Sequence, residues 1–244
     1  MAEFRICIAG YTFRIISLFD STRDYCRKYL SEETPQWDIA VTRQNLAFEQ
    51  EALRQEALEE GLRVRTFTDP FLERTAIQRK VAEYLFDRDI LMTHGSTVAV
   101  DGKAYLFTAK CGTGKSTHTR LWRQVFGQRA VMVNDDKPFL KLTEDGVLAC
   151  GSPWSGKHGL DTNVALPLQG ICILTRGKEN RIRRILPEEA LPMLLHQSYC
   201  PMEQAKRARF EELIRQLAER TPLWRMECNM DPSAAEVSHD AMSR

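Results

Sequence analysis

The sequence contains no long hydrophobic run. Nowhere do apolar residues approach the roughly 18 in succession that a helix needs to cross a bilayer. It also has no bias of charge: 34 Lys and Arg face 33 Asp and Glu, a formal net charge of +1. That excludes a bulk basic footprint for nucleic acid, although a local basic groove stays compatible with the balance. Seven cysteines are scattered and odd in number, and no pair has CxxC spacing. Their pattern argues against a zinc site and against a disulfide framework. The opening stretch, MAEFRICIAGYTF, lacks a basic region followed by a long apolar segment, because Arg5 interrupts it. No signal peptide is expected, and a reduced, cytoplasmic protein without membrane or nucleic-acid partners is the default reading. No internal repeat or low-complexity stretch is visible, which excludes a solenoid or tethered array.

What remains is an ordinary globular composition. The chain has 244 residues, 43% hydrophobic and 27% charged, enough for one or two domains and a large core without covalent staples. Residues 1–88 alternate strand and helix signals and are expected to form an N-terminal α/β lobe. Phe4–Ala9 and Asp38–Val41 read as short strands and Thr22–Leu30 as a helix. A charged helix spans Gln44–Glu60 and stops at Gly61. Pro70 opens another helix, with Ile77, Val81, Tyr84 and Leu85 on one expected buried stripe. Residues 89–244 change character. Thr97–Val100 and Lys103–Thr108, joined by Asp101-Gly102, predict a tight hairpin, since Asp-Gly accepts positive φ. A helix from Lys115 to Val125 and a strand at Ala130–Val133 follow. Phe139–Thr143 and Val147–Cys150 predict a second hairpin, and Ile171–Leu174 a buried strand. The tail reads as mostly helical, with a stripe of Phe210, Leu213, Ile214 and Leu217 and a last start at Asp231-Pro232. The fold class expected is α/β with a mixed sheet.

The segment TAKCGTGKST, residues 108–117, carries the chemistry. It matches the phosphate-loop pattern GxxxxGK[ST] between a strand and a helix, except that the first glycine is Ala109. Gly112, Thr113 and Gly114 would turn backbone N–H groups onto phosphate oxygens. Lys115 would reach the β- and γ-phosphates, and Ser116, beside Thr117, would offer a hydroxyl to Mg²⁺. The helix N-terminus adds partial positive charge at the same place.

Downstream, AVMVNDDKP ends a hydrophobic strand in two carboxylates. Asp135 is the candidate base and Asp136 the candidate metal partner, and the order can be reversed. The lesser alternative is that the two acids before Pro138 form a solvated turn. His94 beside a glycine is, by itself, more often structural. In the loop GSPWSGKHG, residues 151–159, Ser155 and Lys157 are candidates for holding substrate or phosphate. Trp154 could wall a pocket or cover core. His118 could sit near a nucleotide or on the outer helix face, and Arg176 could touch phosphate or solvent.

Taken together, HGSTVAVDGKAYLFTAKCGTGKSTHTRLW, VNDDKP and GSPWSGK resemble the HPr kinase/phosphorylase and phosphoenolpyruvate carboxykinase-like superfamily. The resemblance is to its HPr-kinase-like bacterial branch and is strongest over residues 92–157. It implies a mixed-sheet P-loop kinase core with an N-terminal lobe and a helical C-terminal tail. It also implies ATP or another nucleotide with Mg²⁺, and an active-site place for His94. Lys115, Ser116, Asp135 and Asp136 match the family's phosphate, metal and acid positions. The metal-binding glutamate stretch of HPr kinases has no counterpart here, so HPr itself is not the implied acceptor. The expectation is an ATP/Mg-dependent kinase that phosphorylates a hydroxyl of a small molecule, amino acid or peptide. Residues 1–88 would select the substrate, and a homo-oligomer is compatible. The alternative is a non-catalytic nucleotide-binding sensor or maturation partner on the same fold.

Overall fold

The structure, a computed structural model, describes residues 2–59, 61 and 63–244. The chain divides into two compact units, Met1–Tyr84 and Leu85–Arg244. Among the described residues no helix is long and apolar enough to cross a membrane.

In the first unit, β1 (Ala2–Ile8) and β2 (Tyr11–Ser17) form an antiparallel hairpin, and β3 (Trp37–Ala40) lies parallel to β2. The strand expected at Phe4–Ala9 ends one residue early. Ala9 takes φ 53° and Gly10 φ 84° to make the turn. Strand β2, which sequence reading missed, alternates buried Phe13 and Ile15 with more exposed partners. The helix expected over Thr22–Leu30 is shorter. Helix α1 covers Ser21–Tyr25, one 3₁₀ turn covers Arg27–Tyr29, and Leu30 bridges to Ile6. Helix α2 is Arg43–Glu59, so the expected last residue, Glu60, lies outside the described residues. Helix α3 (Asp69–Phe86) runs to the unit boundary. Ile77, Val81 and Leu85 are buried as its stripe requires, but Tyr84 is exposed, with its ring stacked on Trp37. A buried carboxylate ties this unit together. Glu73 on α3 accepts the Leu18 and Phe19 amide hydrogens and the Thr22 hydroxyl, capping the start of α1 from another element.

The second unit is a curled mixed sheet with helices packed against it. Its strands are β4 (Ile90–Met92), β5 (Ser96–Val100), β6 (Lys103–Thr108), β7 (Ala130–Asn134), β8 (Phe139–Thr143), β9 (Gly146–Cys150) and β10 (Ala165–Arg176). They run in the order β4-β8-β9-β10-β6-β5-β7. The long strand β10 explains the curl. Its first half is antiparallel to β9 and its second half parallel to β6. Between the halves, at Gly170, a Cβ would stand 3.1 Å from the Pro222 carbonyl oxygen. The β5–β6 hairpin turns at Asp101 (φ 51°) and Gly102 (φ 79°), the positive pair that a two-residue turn requires.

The C-terminal segment is not simply a helical tail. Helices α5 (Pro187–Gln197), α6 (Arg207–Arg220) and α7 (Ser233–Met242) alternate with β11 (Arg181–Arg184) and β12 (Leu223–Cys228). Strand β12 runs parallel to β10, and β11 pairs with β12. Leu223 and Met226 are buried in this strand, a signal too short and too interrupted to stand out beside long helical stripes. The stripe Phe210, Leu213, Ile214 and Leu217 is buried as expected, in the same apolar cluster as Leu106, Ile171 and Leu223. Helix α4 (Lys115–Phe126) covers the opposite side with Leu121 and Trp122, against Tyr105, Phe107 and α7.

Gly95 sits where β5 meets β6 without room for a side chain. A Cβ there would lie 2.5 Å from Leu106 Cδ1 and 3.1 Å from the Phe107 carbonyl oxygen, and Leu106 is itself fully buried. Gly95→Ala is expected to destabilise the protein by about 1–3 kcal/mol through overpacking. Urea unfolding of the two proteins checks this, and an unchanged midpoint would refute it.

Candidate functional site

Three neighbouring strands bring the chemistry to one edge of the sheet. Strand β6 ends at Thr108, and the glycine-rich loop 109–114 follows. Strand β5 lies antiparallel to β6, with Ser96 opposite Phe107. Its entry, His94-Gly95, is therefore beside the loop, and the Thr108 hydroxyl donates to the His94 carbonyl at 3.0 Å. Strand β7 lies antiparallel to β5 on its other side, with Thr97 opposite Asn134. Its exit, Asp135-Asp136, thus reaches the same edge, and the Gly95 amide donates to the Asp136 carbonyl at 3.0 Å. The hydrophobic runs specify each strand, but only the sheet order makes them adjacent.

The loop has the backbone its glycines permit. Gly112 takes φ 73° and Gly114 φ 121°, and a Cβ on Gly112 would meet nothing within 4 Å. Ala109, where the pattern has glycine, is buried and does not take positive φ, so its methyl costs the loop nothing. Gly114 stands at the N-cap of α4 without a side-chain cap, leaving the first-turn amides without a side-chain acceptor. Lys115 is buried, and its Nζ reaches back across the loop to the Ala109 carbonyl at 3.1 Å. Burial pulls its pKa below the usual lysine range, while Cys111 and the two aspartates pull the other way. Arg176, at the end of β10, donates to the Gly112 and Thr113 carbonyls, the latter at 3.3 Å. It holds the loop rather than projecting freely into solvent.

The two aspartates differ sharply. Asp135 is 7% exposed. It accepts the Ser96 hydroxyl at 2.6 Å, and Ser96 in turn shares a hydrogen with Thr119 of α4 at 2.7 Å. A hydroxyl chain therefore ties the acid to the helix that follows the loop. Asp136 keeps 34% of its side-chain surface exposed and lies 3.3 Å from His94 Nε2. Burial raises the Asp136 pKa above the usual carboxylate range, against the pull of Lys137 and Lys115. Burial, then Lys137, Lys115 and His196, push His94 down to about 3. Burial likewise favours the neutral form of Asp136. The imidazole is accordingly neutral at pH 7, with Nε2 in close contact with the Asp136 carboxylate. These acids are not a solvated turn.

Loop 151–159 is stapled to the acid turn. Asn134 Nδ2 donates to the Ser152 carbonyl at 2.8 Å and to the Ser152 hydroxyl at 3.0 Å, and Ser152 Oγ donates to the Lys137 carbonyl at 2.6 Å. The Lys137 amide is shared between Asn134 Oδ1 and the Trp154 carbonyl. Trp154 is buried against Phe139, as a core cover. Ser155 departs from expectation: it is buried and its hydroxyl is already donated to Asp161, so no hydroxyl is left for a ligand. Lys157 is exposed on the single 3₁₀ turn Gly156–His158. Ser116 is exposed at the start of α4, and among the described residues no hydrogen bond joins it to either aspartate. Sequence reading missed Ser96, Thr119 and Asn134. Their only sequence signal is a small polar residue inside an apolar strand or helix face.

His118 lies neither near the loop mouth nor on the outer face. It is 2% exposed beneath α7, with Nε2 3.0 Å from Ser238 Oγ, and Trp122 Nε1 donates to both. Burial pushes its pKa down to about 4. Between pH 6.5 and about 4 the unfolded chain takes up a proton there that the folded chain refuses. Stability is therefore fully present above pH 6.5 and is lost on acidification. His118 alone is expected to remove about 2 kcal/mol of stability between pH 7 and pH 5. His118→Gln should flatten that part of the profile, measured by denaturant unfolding across pH, and an equal slope in both proteins would refute the assignment.

The residues fit a nucleotide triphosphate: open space over Gly112, uncapped first-turn amides and one lysine at the loop. Among the described residues no group of three or more His, Cys, Asp or Glu side chains could hold a metal by itself. No family model matches the chain, and no curated protein matches it. Among solved structures the chain is similar to the Hpr(Ser) kinase/phosphatase from Coxiella burnetii, at 14% identity and a TM-score of 0.31. That alignment covers 51% of this chain and 94% of the other.

Proposed function

We propose that the protein is a phosphotransferase on a P-loop kinase core, moving the γ-phosphoryl group of ATP or another nucleoside triphosphate to a hydroxyl. One observation carries this reading: the glycine-rich loop with Lys115 and the His94–Asp136 pair stand at the ends of adjacent strands. Loop amides and Lys115 neutralise and position the phosphates, and positioning with charge neutralisation is most of what phosphoryl transfer needs. Mg²⁺ would add charge neutralisation between the phosphates, with Ser116 and one aspartate as its protein side.

The environments favour reversing the two acids. Asp135 is buried and already bonded by Ser96, so it suits a fixed acid on the metal side of α4. Asp136 is open, raised in pKa and in contact with His94, which suits a base. The acceptor oxygen forms its bond to the γ-phosphorus as the bond to the β–γ bridging oxygen breaks. The hydroxyl proton passes to Asp136, and the nucleoside diphosphate leaves. His94, neutral and 3.3 Å from Asp136, walls that side of the carboxylate.

The test is ³¹P NMR of the full chain with ATP, Mg²⁺ and pools of hydroxyl metabolites, amino acids and serine-containing peptides. A new phosphoester resonance, absent with Lys115→Ala, is the expected result. Nucleotide bound through Lys115 with no new resonance would overturn catalysis and leave a nucleotide sensor.

A further inference from the structure

We propose that the acceptor is an anionic small molecule, a hydroxyl compound whose carboxylate or phosphate is held by Lys137 and His196 while its hydroxyl faces Asp136. The inference rests on the phosphotransferase reading and adds the substrate class. Three separate segments that carry cationic or protonatable residues meet beside His94 and Asp136. Lys137 is the next residue, its backbone clamped by Asn134 and Trp154. His196 lies at the exposed end of α5. That end is anchored at the site because the next residue, Gln197, accepts the His94 amide at 2.6 Å and the Thr93 hydroxyl at 3.2 Å. Lys157 follows Gly156, whose Cβ position lies 3.4 Å from Asp136 Cβ.

Lys137 acts on Asp136, the acid of the site itself, but forms no ion pair with it. Among the described residues neither Lys137 nor Lys157 is within ion-pair distance of a carboxylate, although other cations such as Arg14, Arg79 and Lys206 are paired. The charge is not needed for the nucleotide, whose phosphates meet Lys115 and the α4 N-terminus at the loop. A neutral polyol in the site would leave the half-buried Lys137 ammonium unmatched. An acceptor anion would give it a charge-assisted partner instead.

The experiment compares D-glycerate, glycerol 3-phosphate and glycerol as acceptors for the full chain with ATP and Mg²⁺, reading kcat/KM by ADP release and ³¹P NMR. At least one of the two anions is expected to be preferred to glycerol by about 10-fold or more. That preference should fall several-fold in Lys137→Met and also in His196→Gln, an exposed substitution that does not threaten folding. Preference for glycerate alone assigns a carboxylate, and for glycerol 3-phosphate alone a phosphate. Equal use of glycerol, or a preference unchanged in both variants, overturns the inference. Saturation-transfer NMR of the same three compounds, with ADP and Mg²⁺ bound, separates the two claims. Anion-selective binding lost in Lys137→Met, without turnover, upholds the anion site and overturns the kinase. No selective binding and no turnover overturns both.

Discussion

Lys115→Ala is expected to lower nucleotide turnover by about 10²–10³-fold, the cost of removing one preorganised charge from a phosphoryl-transfer site. The effect should appear in nucleotide binding as well as in turnover, because Lys115 meets the phosphates in the ground state and the transition state alike. The lysine is buried and its Nζ holds the Ala109 carbonyl, so loss of the side chain also frees the loop. Lys115→Met keeps the stem and separates packing from charge. If Met restores turnover, the charge argument fails. Fluorescent-nucleotide titration with a thermal melt of each variant makes the measurement.

Asp136→Asn is expected to lower transfer by about 10²–10⁴-fold, the usual contribution of a positioned general base, while nucleotide binding stays close to that of the parent. Asp135→Asn should behave differently. It lies in the chain Asp135–Ser96–Thr119, and its loss should raise the Mg²⁺ concentration needed for half-maximal turnover. Mg²⁺ titrations at saturating nucleotide distinguish the pair. A shift in Mg²⁺ demand in Asp136→Asn, with a pure loss of rate in Asp135→Asn, would restore the order first read from sequence. The asymmetry between the acids comes from their surroundings: Asp135 faces β5 and α4, and Asp136 faces His94 and loop 151–159.

Much of this was legible along the chain because the signals are local. Asp101-Gly102 takes its positive φ values whatever the rest of the molecule does, so the turn between β5 and β6 was readable to the residue. The 108–117 segment was readable for the same reason, since two glycines, a lysine and a helix start are a backbone statement. Strands β2 and β12 were not legible. The apolar signal of β2 is broken by Arg14, and β12 is buried by β10, a partner far earlier in the chain. Tyr84 matched the spacing of a buried stripe but lies at its edge, exposed, with its ring against Trp37.

The sequence by itself determined which backbones could form: the glycine-rich loop, the Asp-Gly turn, the apolar strand that ends in two acids. Those depend on local sterics and on hydrophobic periodicity, which act over a few residues. Tertiary structure decided what each side chain does. It buried His118 against Ser238, occupied Ser155 with Asp161, fixed Asp135 through Ser96 and Thr119, and left Asp136 open beside His94. The reason is that burial and partnership depend on which strands are neighbours. Sheet order placed residues 94–96, 108–115 and 134–137 side by side, and no local propensity encodes that order.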